Sequence, residues 1–348
     1  MRIKNLLRDR VIKRLGLNKF FPIGEEKNNV VCYFDTSISS LNLGDQIIND
    51  SGRREIQKIL EEKQMFISST HNGISSKCIS TANNCELRIV CGSNLLSPDI
   101  LYRGCWNLSV LDAFRLRKLI FVAVGWERYS ERESFLTKLF YRFIFERNYI
   151  HSVRDEYTKN KLLSIGISNV LNTGCITTWG LTKEHCMSIP REKSKKVVFT
   201  LTDYDRDVMN DIALIDILKD SYDEVYFWPQ GHEDIEYFES LNRSGICLIN
   251  PNLESYDEFL KNNECDFVGT RLHGGIRALQ FKKRTLIVAI DNRAREKSKD
   301  VGFNIIERSD IANNLKSLIY SDIITDINLN EEAIRKWKRQ FYSREIKR

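Results

Sequence analysis

The sequence predicts an α/β protein built on mostly parallel sheets, and three observations carry that reading. From Asn29 onward, short runs of β-branched and aromatic residues alternate with longer stretches of mixed polar and apolar residues at helical spacing. Such alternation calls for parallel strands joined by crossover helices. The chain has 348 residues, enough for two cores of ordinary size rather than one. A polar, Lys- and Glu-rich seam containing Pro190, at 181–196, divides two α/β halves of similar size. The expected organisation is a basic segment at 1–28, a half at 29–180, a linker at 181–196, a second half at 197–322 and a terminal helical stretch at 323–348.

Taken in order, Val30–Phe34 is an uncharged β-branched and aromatic run, hence a strand, and the stretch after it predicts a helix at Asp45–Gln64. Leu87–Cys91 and Leu119–Val124 are the next strands, followed by a helix at Glu133–Arg147. Tyr149–Val153, a helix at Glu156–Ile165 and Val170–Asn172 complete the first half. The second half begins with strand Val197–Leu201, helix Val208–Lys219, strand Glu224–Trp228 and helix Glu233–Leu241. Strand Ile246–Ile249, helix Ser255–Asn262, strand Phe267–Val268 and helix Gly275–Phe281 follow, then strand Thr285–Ile290 and helix Ile311–Tyr320. Ala333, Ile334, Trp337 and Phe341 form one stripe, which predicts a last helix over Glu331–Tyr342.

Composition excludes several classes. Hydrophobic residues make up 42% and charged residues 29%, a globular balance. No apolar run is long enough to span a bilayer, and no continuous apolar region follows the basic start, so a cytoplasmic protein is expected. The nine Cys include no Cys-x-x-Cys pair, which predicts reduced thiols rather than disulfides or zinc. No carboxylate cluster has metal-ligand spacing, so no metal is expected. The net charge of +6 resides in residues 1–21, where seven Lys and Arg face Asp9 alone. A near-neutral body argues against nucleic-acid binding. Residues 1–21 can dip Ile3, Leu6, Leu7, Val11 and Leu15 into an anionic membrane surface, giving peripheral attachment to the inner face. They can equally form a lead-in helix packed on the protein.

Five motifs fall where strands end, the place where α/β proteins bind ligands. Asn42-Leu43-Gly44-Asp45 opens the first helix; Gly44 permits a tight turn, Asp45 can cap, and the N–H groups beyond can receive an anion. Taken alone it is a plain helix cap. Gly92-Ser93-Asn94 is a small-residue loop after a strand, where backbone can approach a ligand and Ser93 and Asn94 can bond it. Ser152-Val153-Arg154-Asp155-Glu156-Tyr157 puts an Arg fork at a strand end, suited to a carboxylate or phosphate or to pairing with its acidic neighbours. Gly269-Thr270-Arg271-Leu272-His273-Gly274-Gly275 is the most informative. Its glycines predict an open turn into a helix, Arg271 a permanent cation and His273 a titratable group near neutrality. That set suits an anionic substrate that must also gain or lose a proton. The last, Asp291-Asn292-Arg293, follows the next strand and is otherwise a solvated loop.

The order of these pieces from Val30 to Phe303 resembles the polysaccharide pyruvyltransferase family, most specifically at 152–157, at 269–274 and at the strand ending in Asp291. The resemblance implies a GT-B-like fold, two Rossmann-like domains facing each other across a cleft. It implies transfer of an enolpyruvyl-derived group from phosphoenolpyruvate, as co-substrate and with no cofactor, to two hydroxyls of one sugar. The product is a cyclic ketal on an exopolysaccharide, a capsule or a lipid-linked oligosaccharide precursor. Arg271, Leu272 and His273, with Gly274 beside them, match the family's donor-binding Arg-Leu-His. Asn42, Gly44 and Asp45 match its first loop, and Arg154 and Asp155 its central Arg-Asp. Ser93 and Asn94 stand where many members have a glycine run, and Arg293 where many have Lys. On this reading Arg271 binds the donor anion, His273 is acid or phosphate ligand, and Asp45 or Asp155 is the base. Two rivals share these features: a GT-B glycosyltransferase using a nucleotide sugar, with Asp291 or Glu296 on the ribose, and a silent glycan-binding or scaffold protein.

Overall fold

The computed structural model describes residues 28–100, 106–116, 118–130, 133–290 and 301–345. The basic segment at 1–21 and the candidates Asp291, Arg293 and Glu296 lie outside them. The chain forms two compact units. One comprises the described residues of 28–39, 52–176 and 331–345, the other those of 40–51 and 177–330.

The first unit holds β1 (Asn28–Asp35), β2 (Gln64–Ser69), β3 (Cys85–Cys91) and β4 (Ile120–Val122) in one parallel sheet of order β2-β1-β3-β4. β5 (His151–Val153) pairs in parallel with β6 (Val170–Asn172), and a single parallel bridge links Val124 to Val153. The helices are α1 (Leu43–Ile59), whose residues through Ser51 count with the second unit, α2 (Ser76–Asn84), α3 (Val110–Leu116), α4 (Phe135–Ile144) and α5 (Glu156–Ser164). Ser75, Ser134 and Asp155 cap α2, α4 and α5 through side-chain acceptors. α5 ends as its sequence foretells. Gly166 takes φ +89, its N–H donates to Leu163 O, and Ile167 N–H donates to Leu162 O.

The first core gathers Cys32, Phe34, Val90, Phe121, Phe145 and Val153. His151 is wholly buried in it, between Phe121 and Phe145. Its Nδ1 accepts from Phe121 N–H at 3.2 Å, so its Nε2 carries the proton and donates to Glu146 O at 2.8 Å. Burial pushes its pKa down to about 4.

The second unit carries β7 (Lys196–Thr200), β8 (Glu224–Phe227), β9 (Cys247–Leu248), β10 (Cys265–Gly269), β11 (Thr285–Ala289) and β12 (Ile305–Glu307) in one parallel sheet. Their order is β12-β11-β10-β7-β8-β9. Counted from β7, this is the doubly wound Rossmann order, with the switch point between β7 and β10. The helices are α6 (Lys183–Met187), α7 (Val208–Ser221), α8 (Asp234–Ser240), α9 (Leu253–Asn262), α10 (Leu272–Gln280) and α11 (Ile311–Tyr320). Val197 and Phe199 face α7 and α11 through Leu214, Leu218, Ile311 and Leu315. Val198, Trp228 and Phe267 face α9 and α10 through Tyr256, Leu260 and Ala278, and Ile47 of α1 joins them. Burial on both faces explains the continuous apolar runs.

α12 (Glu331–Glu345) belongs to the first unit. Gln340 pairs with both backbone groups of Ile150, Phe341 stacks on Tyr149, and Trp337 is fully buried.

Three sequence expectations need correction. The first helix stops at Ile59, and Gln64 opens an edge strand instead of ending the helix. α10 begins at Leu272, not Gly275, so Gly274 and Gly275 lie inside the helix rather than in an open turn. There they serve close packing. A Cβ on Gly275 would stand 3.0 Å from both Ile287 and Phe267, and one on Gly269 would overlap the backbone and hydroxyl of Thr200. β12, α2, α3 and α6 are additional elements.

Candidate functional site

At the switch point of the second unit, the loops after β7, β8 and β10 meet on one buried carboxylate. Asp234 opens α8 and is fully buried. Its Oδ1 accepts from Asp203 N–H at 3.1 Å, and its Oδ2 accepts from Gln230 N–H at 2.9 Å and Gly231 N–H at 2.7 Å. Arg271, also buried, joins the same group. Its Nε donates to Leu201 O at 3.0 Å and to Asp234 Oδ2 at 3.2 Å. Its Nη2 donates to Asp203 Oδ1 at 2.9 Å and to Asp234 Oδ1. One guanidinium thus lies between two carboxylates, and the exposed Tyr204 ring covers it at 5.1 Å. Gly231 is required here, because a Cβ would run into Arg271 Nη2 and come within 2.8 Å of Asp203 Oδ2.

Arg271 occupies the N-cap of α10, and its side chain makes no capping bond. The first turn therefore presents backbone N–H groups at the positive end of the helix dipole. His273 lies in that turn and is half-buried. Leu272 packs with Leu181, Ile276 and Leu279. Gly274 O accepts from Tyr256 Oη at 3.0 Å, and Tyr256 stacks on Trp228 at 3.8 Å. A Cβ on Gly274 would lie 3.3 Å from Gln230.

Gln230 ties this turn to the start of α1. Its Nε2 donates to Asn42 Oδ1 at 3.0 Å, and its backbone O accepts from Leu43 N–H at 3.0 Å. Asn42 Oδ1 also accepts from Gly44 N–H at 2.9 Å, so Asn42, not Asp45, caps α1. Asp45 is half-buried, and its Oδ2 accepts from Ser40 Oγ at 2.7 Å. Gln230 Oε1 is buried with no hydrogen-bond partner among the described residues. The fold thus brings Asn42 and Gly44 at the start of α1 and Gly274 in the first turn of α10 against Gln230, although 188 residues separate Asn42 from Gln230; Arg271, Leu272 and His273 precede Gly274 along the chain, and Asp45 follows Gly44.

A second cluster lies in the first unit, at the carboxyl ends of β3, β4 and β5. Ser93 takes φ +56 directly after Gly92 at φ +71, and Ala123 takes φ +50. Left-handed non-glycine residues of this kind store strain. Ser93 O accepts from Gly125 N–H at 2.8 Å, and Arg154 N–H donates to Val124 O at 3.1 Å. Arg154 and Asn94 converge on Gly125, where a Cβ would stand 2.5 Å from Asn94 Oδ1 and 2.7 Å from Arg154 Cζ. Arg154 Nε and Asn94 Oδ1 are buried without a hydrogen-bond partner among the described residues. Asp155 Oδ2 lies 3.5 Å from Arg154 Nε, while Asp155 Oδ1 accepts from Thr158 N–H at 2.7 Å as the cap of α5. Ser93, Asn94, Arg154 and Asp155 are thereby one group.

Sequence reasoning missed Asp203, Gln230, Gly231 and Asp234, and in the first unit Gly125. The available signal for Asp203, Gln230, Gly231 and Gly125 was their position one to three residues after a predicted strand, as in Asp203-Tyr204-Asp205 and Pro229-Gln230-Gly231; Asp234 falls six residues after its strand, at the start of a predicted helix. Among the described residues, no group of three His, Cys, Asp or Glu is placed to hold a metal ion. No described helix is long and apolar enough to cross a membrane.

Polar side chains and a helix N-terminus gathered beyond the strand carboxyl ends stand where α/β proteins bind ligands, and the fold by itself does not decide which. The sequence decides the family. Residues 42–292 match the polysaccharide pyruvyl transferase family, and the chain belongs to it. It is therefore a transferase of polysaccharide biosynthesis, as the resemblance implied. No curated protein matches it in sequence. Among solved structures, a Methanocaldococcus jannaschii UDP-GlcNAc 2-epimerase in complex with UDP-GlcNAc and UDP is 13% identical, with 90% of this chain and 99% of that chain covered and a TM-score of 0.49. The UDP-GlcNAc 2-epimerase of Neisseria meningitidis bound to UDP-GlcNAc is 11% identical over 92% and 100%, with a TM-score of 0.47. E. coli heptosyltransferase WaaC with ADP-2-deoxy-2-fluoro heptose is 13% identical over 74% and 88%, with a TM-score of 0.37. The family assignment stands on the sequence match alone.

Proposed function

We propose that the protein moves a pyruvyl group from phosphoenolpyruvate to two hydroxyls of one sugar, in a bacterial surface polysaccharide or its lipid-linked precursor. One observation supports the reading: the family match spans 42–292 and includes Asn42–Asp45 and Arg271–Gly274, and of these Asn42, Gly44 and Gly274 lie against Gln230. The reaction needs no cofactor, because the donor brings its own leaving group. Protonation of the donor methylene places oxocarbenium character on C2, and a sugar hydroxyl adds there. Phosphate then departs, and the second hydroxyl closes the ketal. Pyruvate less water is added to the sugar, and one phosphate is released.

The residues divide these tasks by their surroundings. The uncapped first turn of α10 favours the negative phosphate or carboxylate. His273, in that turn, supplies the proton or holds the phosphate. Asp45 takes the hydroxyl proton, since among the described residues its carboxylate is committed only to Ser40, whereas Asp155 is engaged as a helix cap. Leu272 and Gly274 shape the turn, and Asn42 and Gly44 hold its neighbour. Arg271 sets the backbone from which the turn springs, and its charge is matched by Asp203 and Asp234. Arg154, Asn94 and Ser93 offer a fork, an amide and a hydroxyl to a polar substrate group in the first unit. Asp291 and Arg293 are kept as substrate contacts on the resemblance alone. The donor is a cytoplasmic metabolite, so the reaction runs on the cytoplasmic side.

Thermal-shift titration tests the donor. Phosphoenolpyruvate stabilises the wild type, and at about a hundred times Kd the gain is about 2.7 kcal/mol. His273→Ala reduces or removes that gain. Stabilisation by a nucleoside diphosphate and none by phosphoenolpyruvate would replace this reading with a nucleotide-sugar glycosyltransferase.

A further inference from the structure

The first unit carries an exposed apolar face that its own core does not use. On α4, Phe140, Tyr141 and Ile144 are buried, while Phe135, Leu136 and Leu139 are exposed, Phe135 to 73%. Phe135, Leu139 and the half-buried Phe143 follow at i, i+4 and i+8, so they form one stripe. The Phe143 ring meets Phe114 of α3 at 4.4 Å. Phe114 and Leu111, one helical turn apart, are also exposed, Leu111 to 75%. Five of these large side chains are exposed, on two helices linked by the Phe114–Phe143 ring contact. Exposed apolar side chains clustered in this way mark a partner or a membrane.

The charges beside it decide which. Lys118, Arg142 and Arg147 are exposed and Lys138 is half-exposed. The acidic residues in the described parts of 106–118 and 133–148 are engaged. Asp112 pairs with Arg115, Glu133 with Lys161, and Glu146 is buried and accepts from Asn148 N–H. A second copy docked on this face would set cations against cations. An anionic lipid surface offers opposite charge at the rim and an apolar boundary for the centre.

We infer that the α3–α4 face of the first unit docks on anionic phospholipid, dipping Leu111, Phe114, Phe135, Leu136 and Leu139 below the headgroups with Lys138 and Arg147 among the phosphates. This is a different segment from residues 1–21, and it stands whether or not phosphoenolpyruvate is the donor. A lipid-linked acceptor would give such docking a purpose, because its sugar is presented at the same surface.

The test is co-sedimentation of the full chain with phosphatidylcholine vesicles, with and without phosphatidylglycerol. The wild type sediments with the phosphatidylglycerol vesicles and poorly with the neutral ones. The variant Phe135→Ser, Leu136→Ser, Leu139→Ser binds about a hundredfold more weakly, with wild-type circular dichroism and elution volume. Should that variant not fold, Lys138→Glu with Arg147→Glu, on the surface, weakens binding to phosphatidylglycerol vesicles about tenfold. Variants of both kinds that bind as the wild type does would overturn the inference and move the contact elsewhere in the chain. A wild type that ignores both vesicles and elutes as a dimer, dissolved by the apolar substitutions, would overturn it in favour of a second copy.

Discussion

Removing the Asp234 carboxylate should loosen three loops at once. The group is fully buried and accepts from the backbone N–H groups of Asp203, Gln230 and Gly231 and from the Arg271 guanidinium. In Asp234→Ala the three N–H groups lose a partner, and Arg271 keeps only Asp203 as a counter-charge. Breaking a buried ion pair by deleting one member costs about 3–5 kcal/mol. Stranded buried donors each cost about 1–3 kcal/mol where water cannot reach them. We therefore expect at least about 4 kcal/mol, a large share of the roughly 5–15 kcal/mol that holds a domain together. Asp234→Asn keeps the shape and one acceptor and should cost about half as much. The control is Asp216→Ala, which removes an exposed partner of Arg243 and should cost less than about 1 kcal/mol. Urea unfolding followed by Trp fluorescence and far-UV circular dichroism reads all three. An Asp234→Ala midpoint equal to that of Asp216→Ala would refute the idea that one carboxylate organises this switch point.

Other consequences follow from individual contacts. Gly231→Ala forces a methyl onto Arg271 and Asp203; it should cost about 1–3 kcal/mol and lower turnover, both measurable on the purified variant. Gly125→Ala should displace Arg154 and Asn94 and raise KM more than it lowers stability, which steady-state kinetics beside urea titration will show. Stability should fall with acid through His151. Its folded pKa of about 4 lies below the unfolded 6.5, so the unfolded state binds the extra proton between those values. Stability is then complete above pH 6.5 and is lost toward pH 4, at up to about 1.4 kcal/mol per pH unit. His151→Gln should flatten that limb of the pH profile, and an unchanged slope would exclude His151 as its source.

The parallel α/β character was legible because strands buried on both faces leave uninterrupted apolar runs, as in Lys196–Thr200 and Thr285–Ala289. β2 was not, since an edge strand led by Glu61-Glu62-Lys63 and never fully buried reads as the tail of a helix. The start of α10 was misplaced because Gly274 and Gly275 are poor helix formers, and only the closeness of Gln230, Phe267 and Ile287 shows why they are there. In the site, Arg271 and His273 stood out as unusual residues on a glycine-rich turn. Asp203 and Asp234 did not, since charges after a strand usually face water. Their meaning depends on the strand order that places β7, β8 and β10 side by side, which no local pattern encodes. The same holds for the partners of Arg271, read from sequence as free to bind an anion and found between two carboxylates.

The central claim is best tested by chemistry. The protein is incubated with phosphoenolpyruvate and a panel of lipid-linked and nitrophenyl-tagged sugars, phosphate release is followed, and products are weighed by mass spectrometry. We predict one phosphate released for each sugar that gains a pyruvate less water, with both signals abolished in His273→Ala. Absence of phosphate release and adduct on every acceptor, in a protein that binds a nucleoside diphosphate but not phosphoenolpyruvate, would contradict the account.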